Sequence, residues 1–176
     1  MVHDPTQTMA WSGSTVAGDT GKAALYHALR ADLRALLEGE SDPLANAANA
    51  AAAIYHSLPA LNWAGFYLLR GGELVLGPFQ GKPACIRIPL GRGVCGAAAA
   101  GRRSILVADV AAFPGHIACD AASRAELVVP ILEDGTLCGV LDLDSPLPGR
   151  FDAEDQAGCE ALARLIAPAI AGLARS

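Results

Sequence analysis

The chain reads as an α+β domain, in which two helices precede a run of mainly antiparallel strands and one long helix closes the fold. Three observations point there. Leucines recur at helical spacing near the start, two hairpin signals divide the middle, and the pattern returns to helix after Asp152. A chain of 176 residues is long enough for one well-buried core and short for two, so a single domain over 19–176 is expected, with helices covering one sheet face.

Residues 1–18 are rich in Gly, Ser, Thr and Asp and carry no periodicity, so they read as a flexible leader. From Asp19 to Glu38, Leu25, Leu29, Leu33, Leu36 and Leu37 share a helical face behind a cap at Asp19 or Thr20, and Gly39 ends the helix. Asp42 followed by Pro43 is a cap with a first-turn proline, opening an alanine-rich helix that runs from Leu44 to Leu58, just before Pro59.

Strand patterns follow. Leu61–Leu69 and Glu73–Phe79 flank Gly71-Gly72 and form a hairpin. Ala84–Ile88 and Ser104–Val107 are two short strands, with a glycine-marked loop and a short helix over 97–100 between them. Leu127–Leu132 and Thr136–Leu143 form a second hairpin around Glu133-Asp134-Gly135. Asp152 caps a last helix from Ala153 to about Ala174, which Pro168 should kink or shorten. Residues 108–125 are the longest stretch without a regular pattern, and loops of that length in a compact domain are usually functional or disordered.

Composition excludes several functions. Hydrophobic residues are 52 %, charged ones 18 % and aromatics only 5 %, so the core is built mainly from Leu, Val, Ile and Ala. The net charge of −5, with no run of Lys or Arg, leaves no footprint for nucleic acid or for an anionic membrane. The first residues lack a basic start and an apolar stretch, which argues against a secretory signal and for a cytoplasmic protein. No uninterrupted apolar run approaches the roughly 20 residues of a membrane helix. Five cysteines in a reducing compartment point to transient disulfides or metal binding, not to structural bridges.

Cys85, Cys95 and Cys119 lie in glycine- and proline-rich segments, GKPACIRIP, GRGVCG and FPGHIACD, as thiols placed to be reached. Cys119 has His116 three residues before it and Asp120 directly after it. A neighbouring imidazole can lower a thiol pKa from about 8.5 into the range where thiolate exists at neutral pH, which makes Cys119 the first candidate nucleophile. Cys85 and Cys95 flank a strand and a glycine turn, so either could reach it. A second thiol lets a sulfenic acid condense to a disulfide that exchange can reset. A metal site is disfavoured because paired C-x-x-C spacing is missing. Cys138, on a strand, and Cys159, on the last helix, fit small buried hydrophobes.

A second constellation is acidic. In LCGVLDLDS, Leu141 and Leu143 point to one sheet face while Asp142 and Asp144 point to the other, and Glu126 begins the adjacent strand. The opposing possibility is a solvated strand face. Carboxylates in place of the usual mix of charges suit a small ligand with an ammonium group, and one with a raised pKa can give a proton to a leaving oxygen. Trp63, Gly65 and Tyr67 share a face of the first strand, as core aromatics or as a wall for a methyl or thioether group.

NWAGFYLL, LVLGPFQGKPAC, GRGVCG, FPGHIACD, ELVVPI and GVLDLDSP together resemble the free methionine-(R)-sulfoxide reductases, enzymes built on one GAF domain, from about Leu36 to the end. The resemblance implies an antiparallel sheet of about six strands with helices on one face, and a homodimer. It implies that Cys119 attacks the sulfoxide sulfur and becomes a sulfenic acid, that Cys85 resolves it with Cys95 as the alternative, and that thioredoxin, fed by NADPH through thioredoxin reductase, reduces the disulfide without a bound cofactor. Glu126, Asp142 and Asp144 match the carboxylates that hold the substrate ammonium and help protonate its oxygen, and Trp63 and Tyr67 match the aromatic wall. Ala97 and Ala111 depart from the family's usual threonine and histidine. The competing functions are a stand-alone GAF sensor without turnover and a peroxidatic thiol enzyme.

Overall fold

The computed structural model describes residues 21–117 and 120–174. It is a six-stranded antiparallel sheet with four helices. The expected leader 1–18 and the expected caps Asp19 and Thr20 lie outside the described residues. The first helix, α1 (Lys22–Leu37), has Gly21 at its N-cap and no side-chain cap. Lys22 instead ties that end to Asp152 and Asp155. Helix α2 (Pro43–Ser57) starts as its sequence dictates, with the Asp42 carboxylate accepting from the Leu44 and Ala45 amides.

The strands are β1 (Trp63–Arg70), β2 (Glu73–Gly81), β3 (Arg87–Pro89), β4 (Ile105–Val107), β5 (Ala125–Glu133) and β6 (Thr136–Ser145). Their order is β3-β2-β1-β6-β5-β4, so the two hairpins meet at the β1–β6 seam. Helix α3 (Gly93–Gly101) lies between β3 and β4, and α4 (Ala153–Ala174) closes the chain, capped by Asp152. Pro168 does not shorten α4. It sits on the exposed side, while Leu162, Ala163, Ile166, Ala167, Ile170 and Ala171 are buried on both sides of it, so packing holds the helix through the missing backbone bond. Among the described residues, α4 alone is long and apolar enough to cross a membrane. Its apolar stripe is taken up by the sheet and by α1 and α2.

Strand alternation divides the interior in two. Phe66, Leu68, Leu127, Val129, Leu141 and Leu143 face α1, α2 and α4. Trp63, Tyr67, Val128 and Val140 face the other way, where Val94, Cys95, Ala98 and Ala99 of α3 cover them. Helices on one face is therefore right for the three long helices and wrong for α3. The GVCGAAAAG sequence of α3 has no charged side to turn to water, and it buries most of its residues on the second face. That second face holds the candidate site.

Candidate active site

Three strands bring the carboxylates together. Antiparallel register sets Glu126 of β5 opposite Asp144 of β6, and Asp144 opposite Trp63 of β1. Asp142, two residues earlier on β6, lies between Val128 and Gly65. Because Leu141 and Leu143 fill the helix-side core, both aspartates are forced onto the second face. That face is not solvated: Glu126 and Asp142 are each 6 % exposed.

The carboxylates line a cavity of about 30 Å³, together with Trp63, Tyr67, Cys95, His116, Asp120 and Ser123. Trp63 and Tyr67 are buried and stacked on the cavity wall, ring centroids 5.9 Å apart. Gly65 between them admits Phe79 of β2. An added Cβ at Gly65 would lie 2.3 Å from the Phe79 Cβ, and the Phe79 ring stacks on Trp63 at 5.3 Å. Phe79 does not line the cavity but backs Trp63, a place that depends on the β1–β2 register and its irregularity and so is not legible in the sequence.

The cysteines divide. Cys119 lies outside the described residues, with Ala118. Its flanks do line the cavity: His116 and Ile117 before it, Asp120 after it. Cys85 is half-buried in the segment between β2 and β3, and its carbonyl accepts from the Tyr67 hydroxyl at 3.0 Å. Cys95 is not the reachable loop thiol that its glycines suggested. It sits in the first turn of α3 and is 4 % exposed. The helix starts at Gly93 instead of near residue 97 because Gly96 lets the backbone pass under β3, where a Cβ would be 2.4 Å from the Pro89 carbonyl oxygen. Cys138 and Cys159 are buried, as expected of packing residues.

Burial sets the electrostatics. The Asp142 carboxyl is pushed up to about 7 by desolvation. Desolvation, with Asp142 and then Asp144 as like charges beside it, holds Glu126 well above the usual carboxylate range. Asp144 is raised in the same way, by burial first and by the Asp142 charge second. The three carboxyls therefore titrate as one cluster and carry fewer than three charges at neutral pH. The Cys95 thiol, buried and facing Asp142 and Glu126, is raised well above its ordinary value and stays protonated, its Sγ 3.9 Å from Glu126 Oε1.

The sequence places His116 as a neighbour able to activate Cys119. The described contact is with Glu126, whose Oε2 is 3.6 Å from His116 Nε2. That is proximity, too long for a hydrogen bond. Burial lowers the His116 pKa, so the imidazole is neutral beside a largely protonated carboxyl. The loop side of the cavity is pinned by residues that the sequence did not single out. Asn62 donates to Asp120 at 3.3 Å and to Ser123 at 3.0 Å, and Lys82 pairs with Asp120 at 3.2 Å.

Among the described residues three buried side-chain atoms lack a hydrogen-bond partner, Ser57 Oγ, Asn62 Oδ1 and Asp142 Oδ1, and of these residues only Asp142 lines the cavity. An orphaned buried acceptor costs about 1–3 kcal/mol unless a donor supplies the bond. The cavity thus presents acceptors for a cationic head, protonated carboxyls able to donate to an oxygen, and flat rings for an apolar tail.

Residues 41–171 match the GAF domain family model. The chain is 52 % identical over 141 residues to the free methionine-R-sulfoxide reductase of Escherichia coli (strain K12), covering 80 % of the chain and 86 % of that protein. It is 59 % identical over 133 residues to protein YtsP of Bacillus subtilis (strain 168), covering 74 % and 82 %. Among solved structures, the free methionine-R-sulfoxide reductase from Neisseria meningitidis in complex with its substrate matches with a TM-score of 0.83 at 42 % identity, over 90 % of this chain and 95 % of that one.

Proposed function

The chain belongs to the free methionine-R-sulfoxide reductases of the GAF-domain family, and we propose that it reduces free methionine (R)-sulfoxide to methionine. The observation that carries this reading is the buried carboxylate row with its unpartnered Asp142 Oδ1. A free amino acid brings an ammonium group able to donate to that oxygen and to Glu126 and Asp144. Its methyl-sulfinyl end then lies along Trp63 and Tyr67. A sulfoxide inside a polypeptide has no free ammonium, so the same clamp selects the free amino acid.

The Cys119 thiolate attacks the sulfoxide sulfur. The sulfur–oxygen bond of the substrate is broken, methionine leaves with two more electrons, and the oxygen ends on Cys119 as a sulfenic acid. A protonated carboxyl of the Glu126–Asp142–Asp144 cluster supplies the proton that the oxygen needs as charge develops on it. Cys85 then attacks the sulfenic sulfur, forming the Cys119–Cys85 disulfide and releasing water. Cys85 is half-buried while the Cys95 thiol is buried and held protonated, which supports Cys85 as the resolving residue. Thioredoxin reduces the disulfide by exchange, drawing on NADPH through thioredoxin reductase, and no bound cofactor takes part. The same reading includes a homodimer and a cytoplasmic setting.

A cavity of about 30 Å³ is room for one or two waters, so substrate entry requires the wall opposite the sheet to yield. Mass mapping after one turnover tests the sequence of events. A Cys119–Cys85 disulfide formed only with free methionine (R)-sulfoxide is expected. Substrate binding with no thiol oxidised would make the protein a sensor and overturn the proposal.

A further inference from the structure

We propose that the reduced protein binds one divalent transition-metal ion of the zinc class at the cavity floor, through Cys95 Sγ and one oxygen each of Glu126 and Asp142, with water as the fourth ligand. The Cys95, Glu126 and Asp142 donor atoms lie within 4.8 Å of one another, and all three residues are buried. A tetrahedral zinc ion with bonds of roughly 2.0–2.3 Å sets its ligand atoms about 3.3–3.6 Å apart. Cys95 Sγ is already 3.9 Å from Glu126 Oε1. Closure therefore takes side-chain shifts of about an ångström.

Asp142 Oδ1 points the same way independently, as a buried acceptor without a partner on the wall of this cavity. One thiolate and two carboxylates, with a water completing the tetrahedron, suit zinc, cobalt or cadmium. Calcium takes six to eight oxygens and magnesium keeps an octahedral oxygen shell, and neither is served by sulfur. The cavity of about 30 Å³ has room for an ion and little else. Binding changes no oxidation state: metal–sulfur and metal–oxygen bonds form, and the Cys95 thiol proton leaves to solvent with any proton held by the carboxyls. The ion uses the oxygens assigned above to the substrate ammonium, so metal and amino acid exclude each other.

The test uses the full-length reduced protein in equilibrium dialysis against Zn²⁺, with Co²⁺ as the optical probe. One Zn²⁺ per chain is expected, with a thiolate-to-cobalt charge-transfer band. Cys95→Ser should abolish the band and weaken Zn²⁺ at least tenfold, Asp142→Asn should weaken it by a similar factor, and Cys138→Ser should change neither. Circular dichroism identifies a variant that fails to fold, and either of the two site variants then suffices. No saturable binding, or binding and a band that survive Cys95→Ser or Asp142→Asn in a folded protein, overturns the proposal. These readouts do not depend on catalytic turnover, so they stand apart from the reductase reading.

Discussion

Glu126 and Asp144 face each other directly across the β5–β6 ladder, two carboxyls held as cross-strand partners on a buried face with a third, Asp142, beside them. Like charges in that position destabilise a sheet unless something else uses them. A ligand cation is the use that the geometry offers. Replacing Glu126 by Gln or Asp144 by Asn should lower kcat/KM for methionine (R)-sulfoxide about tenfold or more, the loss of one charge-assisted hydrogen bond of roughly 1.5–3 kcal/mol. Any peroxide reduction by the same thiols should change far less, since peroxide has no ammonium. Equal losses in parallel steady-state assays would count against the clamp.

The cluster also fixes how stability depends on pH. Burial pushes Asp142 up to about 7, against about 4 in an unfolded chain. The folded state thus holds a proton that the unfolded chain has released, and the contribution is complete below about pH 4 and lost as pH rises through about 7. Asp142→Asn removes that loss. Thermal unfolding at pH 8 should show the variant more stable than the parent by ~2 °C or more, with the difference shrinking toward pH 5. A variant less stable than its parent at pH 8 would show that Asp142 is not a buried, strained acid.

Gly65 is needed for the Trp63–Phe79 stack. Gly65→Ala sets a methyl 2.3 Å from the Phe79 Cβ and 2.8 Å from the Trp63 ring, and the Phe79 Cα and Cβ cannot move away without displacing β2. A destabilisation of about 1–3 kcal/mol is expected from overpacking, read as a fall in the urea midpoint, together with a raised KM as the aromatic wall tilts.

Asp155 provides a contrast far from the chemistry. It is fully buried at the start of α4 and accepts from Tyr26, from Arg150 Nη1 with both its oxygens, from the Asp152 amide and from Lys22. Asp155→Ala removes the buried acceptor that Tyr26, Arg150 Nη1 and the Asp152 amide share, while Lys22 keeps Asp152 and Arg150 keeps the Pro59 carbonyl; the loss should cost about 3–5 kcal/mol and lower Tm by roughly 10 °C. At a temperature where the variant is folded, its KM should match the parent's.

Most of the frame was legible because local chemistry sets it. Asp42-Pro43 fixed the start of α2, Glu133-Asp134-Gly135 fixed the β5–β6 turn, and period-two alternation alone put Asp142 and Asp144 on one face. What stayed hidden depends on contacts distant in sequence. Glycines at 93 and 96 read as a loop, yet α3 begins there because Gly96 packs against the Pro89 carbonyl, and that burial turned Cys95 from a reachable thiol into a covered one. Phe79 backs Trp63 only through its register with Gly65, and Asn62 and Lys82 reach the cavity rim only through Asp120, which the fold brings to them. Pro168 misled in the opposite sense, since its exposed position leaves the packing of α4 undisturbed.

The most direct measurement follows free methionine sulfoxide by chiral separation, each epimer supplied alone, with thioredoxin, thioredoxin reductase and NADPH. Loss of the R epimer with matching formation of methionine, untouched S epimer, and no turnover by Cys119→Ser are the predicted results. Equal consumption of both epimers, or turnover that survives Cys119→Ser, would contradict the account.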